Sequence, residues 1–506
     1  MNWVRRVVGG LSIFGGISAI AYARRMAWRG FQGDECHSGG RFALCFGGRK
    51  TKVFMVTISG LVSPASTSIG AEIFEPLLSG VETLPTYRQC VKCRDEEWLR
   101  LGVWRCLDEQ LSGRAFLQSN ALSFPNLPDV VAYFDSLGSA RRLAFLEEAS
   151  DALYVRLARS SKVADPFAAH PELDEFDIFA GDGHYHEAAA HDPRVLSAGD
   201  LMPKPPALES QPMNRKREEP KGSKYAVGHF FALNLRNQLM QHLVAADQEE
   251  RKREHDMRAL KGLNRSQLRM GAPNGRKVLY AWDRAGIDFR QWYHWKQWGV
   301  YFISLQKANM KLDEEAAPRP WDRQDPRNRA VVADELCMTS AGVSVRRVVW
   351  CEPVSGEEFV FITSEMTLPP GLIAEIYRQR WDIERLFDET KTKLGEHKAW
   401  ASSAVAKKAQ ALFLCMAHNL MVHLESKVAT EEGVRNQVEA RRREKRMQGK
   451  IQVAKQAGRE VPPMWEQPQR PTQRCVKFIR WLRCWFFVQV PWPTAVAALA
   501  GNFASG

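Results

Sequence analysis

Cysteine is scarce and scattered: ten in 506 residues, with Cys90-x-x-Cys93 the only close pair. A structural zinc site takes four ligands, usually two such pairs or one pair with spaced histidines. No second pair exists, and Cys106 is not suitably spaced to complete one. The thiols therefore read as ordinary reduced cysteines of a reducing cytoplasm, not as a disulfide framework. Uninterrupted apolar runs are short as well. Val7–Ala23, 17 apolar or small residues carrying four glycines, falls just below a membrane span. With 45% apolar and 25% charged residues, the chain is neither mostly disordered nor a multi-span membrane protein. No internal repeat and no H-E-x-x-H zinc motif is present. His184, His186 and Glu187 alternate as strand residues do, which leaves them weak candidates for a histidine–metal site.

Positive charge is what the chain has in excess: 71 Lys and Arg against 58 Asp and Glu, a net +13, with a pI near 9.3. Such a balance favours a polyanionic partner without identifying one. Between Arg435 and Arg459, nine cations face Glu439 and Glu444, a net +7. That tract reads either as a solvated linker or as a non-specific DNA contact. Beyond it, Arg474, Lys477, Arg480 and Arg483 interleave with Phe478, Trp481, Trp485 and Phe486. This suits a DNA-backbone or dimerisation helix, or a small satellite core.

Four regions follow from patterning. Residues 1–59 read as a poorly structured extension, in which 7–23 has the layout of a signal peptide and Met55 is an alternative start. Residues 60–170 are helical, with apolar spacings of three and four in Glu96–Leu111 and Asp129–Leu157. Residues 171–430 mix strands and helices, with a β-rich stretch at about 306–365, and 431–506 form the basic and aromatic tail. Within the third region, Pro- and Lys-rich 195–221 reads as a loop and 247–263 as a charged helix. Two short apolar strands each end in an aspartate, Asp182 and Asp283. A helix is expected over about 370–395 and another over 402–428.

On the first of these helices Tyr377, Arg380, Glu384 and Lys391 fall within one stripe about 60° wide at about 100° per residue. Ile376, Ile383, Phe387 and Leu394 lie directly beside it. By itself this is a solvated face with an Arg380–Glu384 pair. Two strand-end aspartates and a glutamate on a packed helix make a more specific pattern. Oxygen ligands suit Mg²⁺, which retains waters and needs few carboxylates, and paired ions can drive an in-line displacement at phosphorus.

Tyr377-x2-Arg380-x3-Glu384-x6-Lys391 has the spacing of the YREK signature of DDE insertion-sequence transposases, and Ile376–Phe387 resembles that family's C-terminal block. Asp182 in Phe179-Ala-Gly-Asp-Gly183 resembles the first aspartate block, and Asp283 in Val278–Gly286 the second. The resemblance covers about 170–430. It implies an α/β, ribonuclease-H-like core with a β-rich insertion before the last catalytic helix, here within the 101 residues from Asp283 to Glu384. It also implies a helical N-terminal domain that recognises the transposon end. By the same carry-over Asp182, Asp283 and Glu384 are catalytic and bind two Mg²⁺ ions, with Mn²⁺ as a substitute. Tyr377, Arg380 and Lys391 would contact end DNA, and Trp350 or Trp321 would stack on a flipped base. The implied enzyme cuts transposon ends and joins them to target DNA, as a homodimer or larger synapse at the bacterial nucleoid. A catalytically inactive DNA-binding relic, or a metal-dependent nuclease without strand transfer, is the alternative. Asp177, His255, Asp256 and Asp288 lie off the matched positions and read as capping or surface groups, with Asp288 a second choice to Asp283. His418 and Asn419 resemble a family block and are assigned to packing.

Overall fold

Alternation along the strands builds one sheet with two different apolar faces. In the computed structural model the described residues are 68–90, 93–108, 112–121, 127–187, 226–245, 260–284, 288–312, 316–395, 399–488 and 490–504. All belong to one compact unit, Val62–Gly506. The extension 1–59, the loop 195–221 and most of the charged helix 247–263, His255 and Asp256 included, lie outside the described residues.

Among the described residues nine strands form the sheet: β1 (Phe176–Glu187), β2 (Ala226–Asn234), β3 (Met240–Ala245), β4 (Lys277–Trp282), β5 (Val300–Leu305), β6 (Ala317–Pro318), β7 (Val331–Met338), β8 (Ser344–Cys351) and β9 (Glu358–Thr363). Their order is β3-β2-β1-β4-β5-β9-β8-β7-β6. β1, β4 and β5 run parallel, while β2 and β3 pair antiparallel on one side. The β-rich stretch is not a separate sheet. β9 pairs antiparallel with β5, so β6–β9 prolong the same sheet outward.

Successive side chains of a strand point to opposite faces. Val278, Tyr280 and Trp282 pack with Phe179, Phe302, Trp292 and Trp295 on one face. Leu279 and Ala281 join Ile178, Ala180 and Ile303 on the other. The first face is covered by short helices, α6 (Arg265–Arg269) and α7 (Phe289–Gln297). The second is covered by α8 (Pro370–Gln379), α9 (Trp381–Lys393) and α10 (Ala404–Thr430).

α10 is apolar nearly all round and buried along most of its length, as a helix enclosed in a core must be. It packs on β3 and on the N-terminal helices α1 (Ile69–Leu78), α2 (Asp95–Leu107), α4 (Val130–Leu137) and α5 (Ala140–Arg159), between which lies α3 (Gly113–Asn120). Serine or aspartate side chains cap α1, α3, α4, α5 and α10. Asp129–Leu157, expected as one helix, is two: it breaks at Gly138 and restarts on the Ser139 cap. The basic tract is also helical: α11 spans Gln437–Gln456. α12 (Val476–Trp485) and α13 (Trp492–Ala504) return to the N-terminal helices, where Phe486 stacks on Trp104 at 4.3 Å and meets Phe74 edge-on at 5.3 Å.

Candidate active site

Strand parity gathers the two aspartates. β1 and β4 are parallel with Gly181 opposite Trp282. One step further, Asp182 and Asp283 continue the alternation onto the face that carries α9. The Trp282 ring lies across Gly181, where a Cβ would come 2.1 Å from a ring carbon, so only glycine admits it. The sequence reading ended β1 at Asp182. The strand in fact runs on to Glu187 paired with β2, and only the β4 partner stops. Asp182 is thus mid-strand on one side and at a strand end on the other, while Asp283 is exposed just past β4.

α8 and α9 are nearly continuous but are not the single straight helix expected. Arg380 stands between them, and i→i−3 bonds at Arg380 and Ile383 tighten the turn. The Arg380 guanidinium reaches Glu384 Oε1 at 2.7 Å and Asp182 Oδ2 at 3.6 Å. It also lies 5.4 Å from the centre of the Tyr377 ring. Tyr377 and Arg380 are buried, and the tyrosine hydroxyl and the arginine Nε and Nη1 have no hydrogen-bond partner among the described residues. Behind them His184 stacks on Phe387 at 4.6 Å, which seats α9 on β1.

Asp182, 24% exposed, accepts a hydrogen bond from the Gly183 N–H at 2.8 Å. Burial pushes its carboxyl up to about 6, against the pull of Arg380 and the Gly183 N–H, and the charges of Glu384 and Asp283 add to the rise. Asp182 therefore feels the charges of the other two carboxylates. Among the described residues, no group of three or more His, Cys, Asp and Glu side chains is gathered closely enough to hold an ion. The donor types still suit a hard divalent cation: Asp182 and Glu384 share the Arg380 guanidinium, and Asp283 is near enough to Asp182 for its charge to act on it.

Tyr377, Arg380, Glu384 and Asp283 line a cleft of about 1120 Å³. Lys391 is exposed two turns along α9 and is not in that wall. Trp350 lines the cleft but is buried beneath Phe359 and Phe361, while Trp321 is covered by the Arg323 guanidinium at 4.8 Å. Asp288 caps α7 and pairs with Lys261 at 2.6 Å, and Asp177 pairs with Arg276 at 2.8 Å. Arg443, Arg446 and Lys450 of α11 line the same cleft; sequence reading places them in the basic tract but does not bring them to this site. Their i, i+3, i+7 spacing was the available signal.

Residues 203–420 match the family model described as the transposase DDE domain. The match takes in Asp283, Tyr377, Arg380, Glu384 and Lys391 and begins after Asp182. No curated protein matches the chain.

Proposed function

We propose that the chain, whose residues 203–420 match the transposase DDE domain, cuts DNA at transposon ends and joins the freed ends to target DNA on a ribonuclease-H-like core. The observation that carries this reading is the Arg380 guanidinium held between Asp182 and Glu384 beside Asp283. The strand order β3-β2-β1-β4-β5, with β1, β4 and β5 parallel, supports the core assignment. Asp182, Asp283 and Glu384 would hold two Mg²⁺ ions, or Mn²⁺ in their place. When bound, such ions activate an attacking oxygen and stabilise a leaving one at phosphorus.

The chain's own residues do the rest. In the first step a water oxygen bonds to phosphorus and the bond to the 3′ oxygen breaks, leaving a 3′-hydroxyl on the element. The oxygen of that hydroxyl then bonds to a target phosphorus in the same in-line manner, as the target's own bond from phosphorus to its 3′ oxygen breaks and that oxygen leaves as a 3′-hydroxyl. Arg380, whose Nε makes no hydrogen bond among the described residues, and the buried Tyr377 hydroxyl beside it orient the phosphate against the carboxylates. Lys391 contacts the backbone further along the end. Joining two ends requires two active sites, which a homodimer or larger synapse supplies.

The test is nicking of a plasmid carrying the DNA that flanks the coding sequence, with Mg²⁺ or Mn²⁺. Asp182→Ala, Asp283→Ala and Glu384→Ala should each lower nicking by about 10³-fold or more while duplex binding persists. Full activity in any one of the three removes that residue from the site.

A further inference from the structure

The basic helix α11 contributes to the lining of this cleft. Its first end leaves α10 through Gly433 at φ +68°, where Arg435 Nε donates to Ala429 O at 3.1 Å. Its far end turns at Gly458, φ +70°, and Arg459 Nη1 donates to the carbonyls of Pro353 and Val354 at 3.1 and 2.9 Å, in the turn between β8 and β9. Between these ties only Ala454 is fully buried, and Met447 and Ile451 rest on the core. At about 100° per residue Arg443, Arg446 and Lys450 share one stripe about 60° wide, and all three line the same cleft as Glu384 and Asp283. Arg441, Lys445 and Lys455 are exposed and lie at least about 100° around the helix from that stripe.

We infer that the Arg443–Arg446–Lys450 face of α11 binds the phosphodiester backbone of duplex DNA in the cleft, clamping it against the carboxylates. The assignment rests on the catalytic reading above and adds the surface that holds the substrate there. Charge complementarity supports it. Asp283 and Glu384 in the cleft lining repel a polyanion, and the cations of α11 that line the same cleft offset that repulsion. Cations on the outer faces of α11 raise the general attraction but cannot fix the register of the strand.

The test compares two variants of the full chain with equal loss of charge: Arg443→Ala/Arg446→Ala/Lys450→Ala and Arg441→Ala/Lys445→Ala/Lys455→Ala. Alanine is a strong helix former and these positions are largely exposed, so both should keep α11, which circular dichroism checks. The probes are a labelled duplex of arbitrary sequence, titrated over a series of NaCl concentrations, and plasmid nicking. For the inner triple the slope of log affinity against log salt should become shallower by about 2.7, about 0.9 per lost phosphate contact. Nicking should fall about tenfold or more. The outer triple should stay within about twofold of wild type in nicking and change the slope by less than about 1. Equal effects from both triples, or none from the inner one, would overturn the inference. Wild type that binds the duplex and nicks nothing under either metal would sink the catalytic reading and leave the slope comparison to decide the surface.

Discussion

Asp182, proposed above as catalytic, shows what a buried carboxylate costs its own fold. Its carboxyl titrates near 6 in the folded chain because it is buried beside Glu384 and Asp283, against about 3.9 when unfolded. The folded state therefore binds the proton more tightly. The stability linked to that proton is fully present below about pH 4 and is lost as pH rises through 6. At pH 7.5 the loss is on the order of 2–3 kcal/mol. Asp182→Asn, which mimics the neutral form, should recover on the order of 2 kcal/mol at pH 7.5 and nothing at pH 4, read from urea unfolding at the two pH values. Equal stability of the two proteins at pH 7.5 would refute this account of the site's electrostatics. Asp182 and Asp283 were legible because each closes an apolar run in the sequence, although β1 itself continues to Glu187. The packing of Trp282 over Gly181 was not, since it depends on the register between β1 and β4. The stripe on the catalytic helix was drawn for a straight helix, and the tightened turn at Arg380 rotates everything after it.

At the scale of elements, strands and long helices followed from periodicity, whereas their joints did not. The edge strand β3 illustrates a joint made by one side chain. Asn419 on α10 accepts from the Met240 N–H at 2.7 Å and donates to the Met240 carbonyl at 2.9 Å, and His418 Nε2 contacts the Gln238 carbonyl at 2.9 Å. Asn419 thus supplies the paired donor and acceptor that a further strand would offer at that residue. Asn419→Ala should cost about 2–3 kcal/mol, because both backbone groups of Met240 would be buried without partners. Hydrogen exchange at the Met240 amide should speed up well before global unfolding. Unchanged protection there would show that the sheet edge holds itself. The packing role assigned to His418 and Asn419 agrees with this geometry, but their target on β3 lies about 180 residues away in the chain and no local pattern points to it. α11 was hidden for a related reason. A tract with so many cations has few apolar positions to read; Met447, Ile451 and buried Ala454, with the ties to α10 and to the β8–β9 turn, hold it as an ordered helix.

For the whole molecule, the boundaries drawn at 170 and 430 fall inside one continuous apolar core. Leu99 and Phe145 from the N-terminal helices, Ile178 and Leu279 from the sheet, Phe413 from α10, and Trp481 and Leu499 from the last helices belong to a single buried cluster. The interleaved aromatics and cations of 474–486 could not reveal this, because their partners, Phe74 and Trp104, lie nearly 400 residues earlier. The cations are tied in as well: Arg483 donates to the carbonyls of Leu107 and Lys393, and Arg474 pairs with Glu425 at 3.4 Å. The last two helices thus complete the core that supports α9 and the catalytic cleft. Phe478, Trp481, Leu482, Phe486, Trp492 and Leu499 are all buried. At roughly 2 kcal/mol for each such side chain, their loss matches the entire stability of an ordinary fold, about 5–15 kcal/mol. A chain ending at residue 475 should therefore lose cooperative unfolding and expose Trp104, read as a red shift in tryptophan emission. Metal-dependent nicking should vanish with it although Asp182, Asp283 and Glu384 are all retained. A truncated chain that still unfolded cooperatively and nicked DNA would mean that the catalytic unit folds without its C-terminal partner.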